Sequence, residues 1–445
     1  MALDSTEKRT LESIQARVLW LATRMIDYAN RERKSEDGLK VGGHQASSAS
    51  MVTIMTALYF KYLSAGDRVS VKPHASPVFH AIQYLLGNLE KKYLTQLRQA
   101  GGLQSYPSRT KDPDPVDFST GSVGFGAAAP LFAGLVRRYV NSHFGERPES
   151  KFIAIIGDAE LDEGVVWEAV ADPATKGLGN TLWIVDFNRQ SLDRVIPGVR
   201  IVQWRAQFEA AGWHVAECKY GSRLKKVLQT PGSEGFIQWF DDIANEQYQS
   251  LFNLSPELAR ERFLEGAPEG VRTFSERYSD DEFFQIITDL GGHDFDALLE
   301  TFAECSSFSD RPSVVFAYTI KGFGLPIAGD PRNHSAQISA THIEKLREKL
   351  GVSVDDEWGS FSANTPESDL CTLRSTLLQR SPARRGLTLD IPTSTTTNIS
   401  PRLSTQEHFG RALSALSRNE SIRPFLVTTA PDVATSTNLG GFINR

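Results

Sequence analysis

Cysteine is scarce: the 445 residues hold three, Cys218, Cys305 and Cys371, odd in number and without metal-ligand spacing. That excludes a disulfide framework and a thiolate metal site, and the three read as reduced, mostly buried thiols. Long apolar runs are missing too, so no segment reads as a membrane span. The opening MALDSTEKRT has neither an apolar signal core nor the Arg-rich, acid-poor character of a mitochondrial presequence, and a cytoplasmic location is expected. Nor is there much charge of one sign. The formal net charge is −6, and the short basic clusters near Arg31, Lys91 and Arg384 read as solvated faces, which argues against nucleic acid as a partner. No internal repeat is present.

What is present suits a globular chain of two or three domains, since 40% hydrophobic residues allow large buried cores. Apolar positions at helical spacing (Leu11, Ile14, Val18, Leu21, Met25) predict a long amphipathic helix over 8–35. Two further helices are expected after Gly42-Gly-His44 and Pro73-His-Ala-Ser-Pro77. Strands and helices alternate from about 150 to 325, the signature of a parallel sheet flanked by helices. Within that stretch, 222–310 is more helical and acidic, and 234–296 reads as an insertion. From 359 to 400 the composition turns to Ser, Thr and Pro, which predicts a linker. A helix over about 405–417 and a strand, Phe425-Leu-Val-Thr-Thr-Ala430, then read as the start of a second α/β domain. The expected division is thus 1–358, 359–400 and 401–445.

The segment IGDAELDEGVVWEAVADPATKGLGNTLWIVDFNRQSL, residues 156–192, carries the chemistry. Two short apolar runs, 152–156 and 181–187, each end in polar residues, and a helical pattern separates them. A right-handed strand-helix-strand crossover places Asp158 and Asn188, thirty residues on, at the same edge of the sheet. One carboxylate, one amide oxygen and the Gln190 carbonyl suit a hard divalent ion such as Mg²⁺, with substrate phosphates completing the shell. Gly157 leaves room for a phosphate beside the backbone. The same spacing also suits an ordinary strand-end Asp and a turn Asn.

Gly-Asp, an acidic helix start, about thirty residues and an Asn at a strand end resemble the thiamine-diphosphate signature of the transketolase and pyruvate dehydrogenase superfamily. Where the family has Gly-Asp-Gly, this chain has Gly157-Asp158-Ala159. Glu160-Leu-Asp-Glu163, Asn188-Arg-Gln190-Ser-Leu-Asp193, Ala211-Gly-Trp213 and Tyr318-Thr-Ile-Lys321-Gly-Phe-Gly324 look most like the single-chain decarboxylating component of bacterial pyruvate dehydrogenase. The resemblance implies a thiamine-diphosphate-binding fold with thiamine diphosphate and Mg²⁺ as cofactors. Asp158, Asn188 and Gln190 would be metal ligands, and Gly157 and Ala159 would lie against the diphosphate. It further implies cleavage of a C–C bond in a 2-oxoacid with acyl transfer to a lipoyl carrier. Two-carbon transfer between sugar phosphates, as in transketolase, is the alternative. A non-catalytic cofactor-binding fragment is an alternative of another class.

Further residues follow from the resemblance. His44 and His74, each in a small-residue turn before a helix, match histidines that line the active-site channel and move protons, work that suits an imidazole near neutral pH. Either is equally at home as a helix cap. Tyr106 matches a tyrosine near the cofactor. Ser122, Val123 and Gly124, in a loop entering an Ala-rich helix, match cofactor-contacting residues, although close helix packing also explains the glycines. Lys321, after a strand over 313–318, would hold an anionic substrate group and contact the cofactor, with Gly322 and Gly324 allowing its loop to move. His334 matches a histidine of a mobile active-site loop. Among the acids at 160–168, Glu163 and Glu168 are the better candidates for a buried network at a subunit interface; compensation of a helix dipole is the bland explanation. The pyrimidine-binding domain has only begun at Arg445, so a truncated chain is expected, completed by a homodimer mate or a complementary subunit and served by a lipoyl-bearing acyltransferase.

Overall fold

Five strands pair into one parallel sheet: β1 (Arg68–Ser70), β2 (Phe152–Gly157), β3 (Thr181–Phe187), β4 (His214–Cys218) and β5 (Ser313–Tyr318), in the order β1-β2-β3-β5-β4. The computed structural model describes residues 3–34, 38, 40–121, 123–191, 194–195, 200–334, 336–380, 389–394, 402–430 and 433–444. Every residue of β2, β3 and β5 is buried, as expected of strands covered on both faces. Alternation splits them between two cores. Ile153, Ile155, Leu182, Ile184 and Val315 face one layer of helices, whereas Ala154, Ile156, Trp183, Val185 and Phe316 face the other.

The expected opening helix is α1 (Ser5–Arg31). A capping box starts it: Asp4 accepts from the Thr6 and Glu7 amides at 2.8 Å each, and Glu7 returns to the Asp4 amide. The two helices expected after the histidine turns are α2 (Gln45–Ala49) and α3 (Ser76–Leu85), and the Ala-rich one is α4 (Phe125–Phe144). The interval 222–310 is a set of short helices around Phe236, Phe263, Phe274 and Phe283, all in the second core.

The chain divides into two units, Met1–Tyr139 with Glu146–Arg380, and Val140–Gly145 with Ser381–Arg445. Two expectations change here. The stretch read as a linker contains a helix, Pro366–Leu377, capped by Thr365. Its buried Arg374 donates to the Tyr59 and Leu63 carbonyls at 2.8 and 2.6 Å, so the first unit runs to Arg380 rather than 358. The strand expected over 425–430 is not formed. Residues 426–430 have no regular structure after a short turn at Arg423–Phe425, and the described residues of the second unit contain helices but no strand. The helix at Thr405–Leu416 is where the sequence puts it.

Candidate cofactor site at the carboxyl edge of the sheet

β2 and β3 run parallel with Gly157 opposite Asp186, so the residues that follow each strand emerge side by side. Asp158 is 7% exposed. One carboxylate oxygen accepts the Ala159 amide at 2.9 Å and the other the Arg189 amide at 2.7 Å, and among the described residues no side-chain cation bonds it. Arg189 turns its amide toward Asp158 by adopting φ 60°, a left-handed conformation costly for a non-glycine residue. Burial first, and then the neighbouring Asp186 charge, push the Asp158 carboxyl up to about 7. A buried carboxylate satisfied only by backbone amides is suited to a cation. The donor set fits Mg²⁺: beside Asp158 stands the Asn188 amide oxygen, which accepts the Gln190 amide at 3.1 Å.

Behind these groups lies a network that sequence reasoning missed. Asp186, fully buried, accepts from Lys72 Nζ at 2.5 Å, Ser50 Oγ at 2.7 Å, Asn188 Nδ2 at 3.2 Å and the Thr319 hydroxyl. Burial alone would raise the Asp186 carboxyl; Lys72 and the hydroxyls outweigh it and hold the group low. Lys72 reaches Asp186 by crossing over Gly157, where an added Cβ would lie 3.3 Å from its Cε. The space that Gly157 keeps open is therefore first of all the path of Lys72. From the helical interval comes Gln249, fully buried, which accepts from Gln190 Nε2 at 2.5 Å and donates to the Asn188 carbonyl at 3.0 Å. That interval thus braces the loop bearing Asn188 and Gln190, a role its composition does not signal.

The cavity above this edge is about 500 Å³, and its walls include His44, His74, Tyr106, Gly157, Asp158, Ala159, Asn188, Gln190, Lys321 and His334. The expected residues, from separate segments of the chain, therefore meet in one place. The His44 and His74 rings stack with centroids 4.0 Å apart, and His334 lies 4.8 Å from His44. Ser48 donates to the His74 carbonyl at 2.8 Å, tying the two turns together. Burial, and then nearby His334, Arg98 and Lys321, lower His44 to about 4; burial, then His44 and Lys72, lower His74 to about 2. Both rings are neutral at pH 7, with one nitrogen to donate and one to accept. Lys321, 3% exposed, lies 3.2 Å from His334 Nδ1 and presents a cation to the same space.

Other expected residues lie apart from the cavity or are placed differently. Val123 and Gly124 do not line the cavity. Val123 is 47% exposed, and Gly124, at φ +80°, is packed so closely on the next helix that a Cβ would lie 2.7 Å from Val166 Cγ2. Close packing explains that glycine, and Ser122 lies outside the described residues. Of the acids, Glu160 rather than Glu168 is buried. It accepts the Gly157 amide at 2.8 Å, and the Gly124 backbone also bonds it; Glu163 is half-buried and lines the cavity, and Glu168 is exposed. Gly322 and Gly324, at φ +86° and +79°, form a crowded turn, with Gly322 donating to the Ala46 carbonyl at 2.9 Å, rather than a loose hinge.

With this geometry in place, comparison with known proteins defines the class. The family model for the transketolase thiamine diphosphate binding domain matches residues 41–230 and 270–362, and the chain belongs to that family. The gap between the two matched parts, 231–269, lies mostly within the interval read as an insertion, though it is shorter. Among curated proteins, the pyruvate dehydrogenase E1 component of Escherichia coli K12 is 27% identical over 93% of this chain and 50% of its own length. That of Cupriavidus necator is 26% identical over 97% and 51%, and that of Corynebacterium glutamicum 27% over 76% and 38%. The chain therefore spans about half the length of the curated relatives it matches. Among solved structures, transketolase from Campylobacter jejuni aligns over 94% of this chain and 56% of its own, with TM-score 0.62 and 17% identity. At that identity the likeness concerns the fold. No helix among the described residues is long and apolar enough to cross a membrane.

Proposed function

We propose that this chain forms the diphosphate-binding part of a thiamine-diphosphate- and Mg²⁺-dependent enzyme that cleaves a C–C bond in a 2-oxoacid and passes the acyl group to a lipoyl carrier. The observation that carries the reading is Asp158, a buried carboxylate with backbone amides as its partners, at the floor of a cavity that also holds Asn188, Gln190, two neutral imidazoles and a lysine. Asp158, Asn188 and the Gln190 carbonyl would hold the metal, with Gly157 and Ala159 facing the diphosphate. When bound, thiamine diphosphate supplies a carbon nucleophile and an electron sink for the breaking bond; the protein supplies position and electrostatics. His44 and His74, neutral at working pH, are able to accept or give a proton at a ring nitrogen without prior titration. Lys321 is placed to hold an anionic carboxylate, with His334 as its neighbour. The pyruvate dehydrogenase names of the relatives favour a 2-oxoacid over a sugar phosphate. A homodimer mate or a complementary subunit, a lipoyl-bearing acyltransferase and a cytoplasmic setting complete the proposal.

Calorimetry of thiamine diphosphate with Mg²⁺ tests it. Wild type is expected to bind in an Mg²⁺-dependent way, and Asp158→Ala to lose that binding while keeping its far-UV circular dichroism. Equal affinities would overturn the metal assignment.

A further inference from the structure

Three consecutive residues after β3 serve two different spaces. Asn188 and Gln190 line the cavity described above, whereas Arg189, between them, lines a second cavity of about 430 Å³ whose walls share no residue with the first. The Arg189 Cζ lies 5.4 Å from the Tyr248 ring centre and 5.6 Å from that of Tyr318. Its Nε is buried without a hydrogen-bond partner. Among the described residues its head group makes one long hydrogen bond, from Nη2 to the Thr319 carbonyl at 3.5 Å; no carboxylate pairs with it, and Asp158 bonds only its backbone amide. A guanidinium withdrawn from water without an anion is costly, and its fork of donors matches a carboxylate.

The other charged walls decide which anion fits. They are Lys219, Asp241 and Glu246. Lys219 is already paired with Asp241 at 2.6 Å, and Tyr220 donates to the same oxygen at 2.5 Å. Glu246 is exposed. Behind the aromatic wall, Glu217 accepts the Tyr318 hydroxyl at 3.1 Å and is paired with Arg205 at 3.2 Å. The four charged walls therefore sum to zero, and a dianion or phosphate would meet Asp241 and Glu246 as well as Arg189. A single carboxylate needs only the one uncommitted cation. Ile201, Phe240, Ile243 and Leu290 supply apolar surface beside it, which suits a ligand with an apolar body rather than a hydrated ion. We propose that Arg189 anchors a subsite, apart from the cofactor cavity, for a monocarboxylate with a compact apolar body. It does not depend on the metal reading of Asp158.

The test is a ligand-observed NMR titration of the full chain with benzoate, set beside benzamide and inorganic phosphate. Benzoate should bind about tenfold more tightly than either, or better, since a hydrogen-bonded charge is at stake. Arg189→Gln should weaken benzoate by about tenfold or more. Ala244 is an exposed wall residue, so Ala244→Phe should obstruct the cavity and weaken benzoate comparably while leaving Arg189 in place. That second variant keeps the test open if Arg189→Gln fails to fold. Lys321→Gln, in the cofactor cavity, should leave benzoate binding unchanged. The inference is overturned if benzoate binds no better than benzamide or phosphate, or if either folded cavity variant binds it as wild type does. Loss of binding in Lys321→Gln would overturn it too, by placing the carboxylate in the cofactor cavity.

Discussion

Phe152-Ile-Ala-Ile-Ile-Gly157 and Phe425-Leu-Val-Thr-Thr-Ala430 look alike as sequence, each opening on Phe and rich in residues that favour strands. The first is the centre of a sheet, paired with β1 on one side and β3 on the other, and wholly buried. The second has no strand partner among the described residues, and its Phe425 and Val427 are 38% and 62% exposed. Composition states what a segment can tolerate; pairing decides what it becomes. A strand end gains a functional address only when a neighbour fixes where it points, as β3 does for Asp158.

The contrast is sharpest in stability. Ile155, 1% exposed between two strands, should cost about 2–5 kcal/mol when cut to Ala, the range for a buried aliphatic that leaves a cavity. Val427→Ala removes an exposed side chain and should change stability by no more than about 0.5 kcal/mol. Urea unfolding followed by far-UV circular dichroism compares the two. Comparable losses would mean that 425–430 is packed as firmly as β2.

The same contrast explains what could be read from the sequence. Asp158, Asn188 and Lys321 were legible because each follows a buried run, and parallel strands deliver their ends to one edge. His44, His74, Tyr106 and His334 needed the family resemblance, and the fold brings them to the same cavity. Lys72 was not legible. It stands before Pro-His with no signal of its own, and only the placement of β1 beside β2 carries it across Gly157 to Asp186. Gln249 was hidden likewise, since its partners stand some sixty residues away in sequence. The helix at Pro366–Leu377 was missed because Ser, Thr and Pro lower local propensity, whereas Arg374 secures it through contacts with Tyr59 and Leu63.

Enclosure also has a proton signature. His74 and His44 are lowered to about 2 and 4, below an unfolded value near 6.5. Below pH 6.5 the unfolded chain takes up protons that the folded rings refuse, so their contribution to stability is present above pH 6.5 and is lost as pH falls toward 4. Asp158, raised to about 7, titrates in the opposite sense, so a variant comparison isolates the rings. Between pH 6.5 and 4.5, cofactor-free wild type should lose about 2 kcal/mol more stability than His74→Gln. Equal slopes in denaturant titrations at the two pH values would show that the His74 ring is open to solvent.

The smallest expected effects separate two neighbouring positions of the Gly157-Asp158-Ala159 turn. Gly157 has φ −82° and ψ 151°, which any residue can adopt, so its requirement is one of space. A methyl there meets Lys72 Cε at 3.3 Å, and Gly157→Ala should cost about 1 kcal/mol in thermal unfolding without cofactor, the low end of overpacking. Ala159 is exposed on the cavity side and displaces nothing inside. Its amide already bonds Asp158 at 2.9 Å, as a glycine's would. Ala159→Gly should therefore leave cofactor-free stability within about 0.5 kcal/mol. It should tighten thiamine-diphosphate binding by less than about 1 kcal/mol, because a methyl that only brushes the diphosphate stores little strain. Calorimetry with Mg²⁺ present decides it. A tenfold or larger gain would mean that the methyl occupies space the diphosphate needs, and that the departure from Gly-Asp-Gly has weakened the cofactor site rather than left it intact.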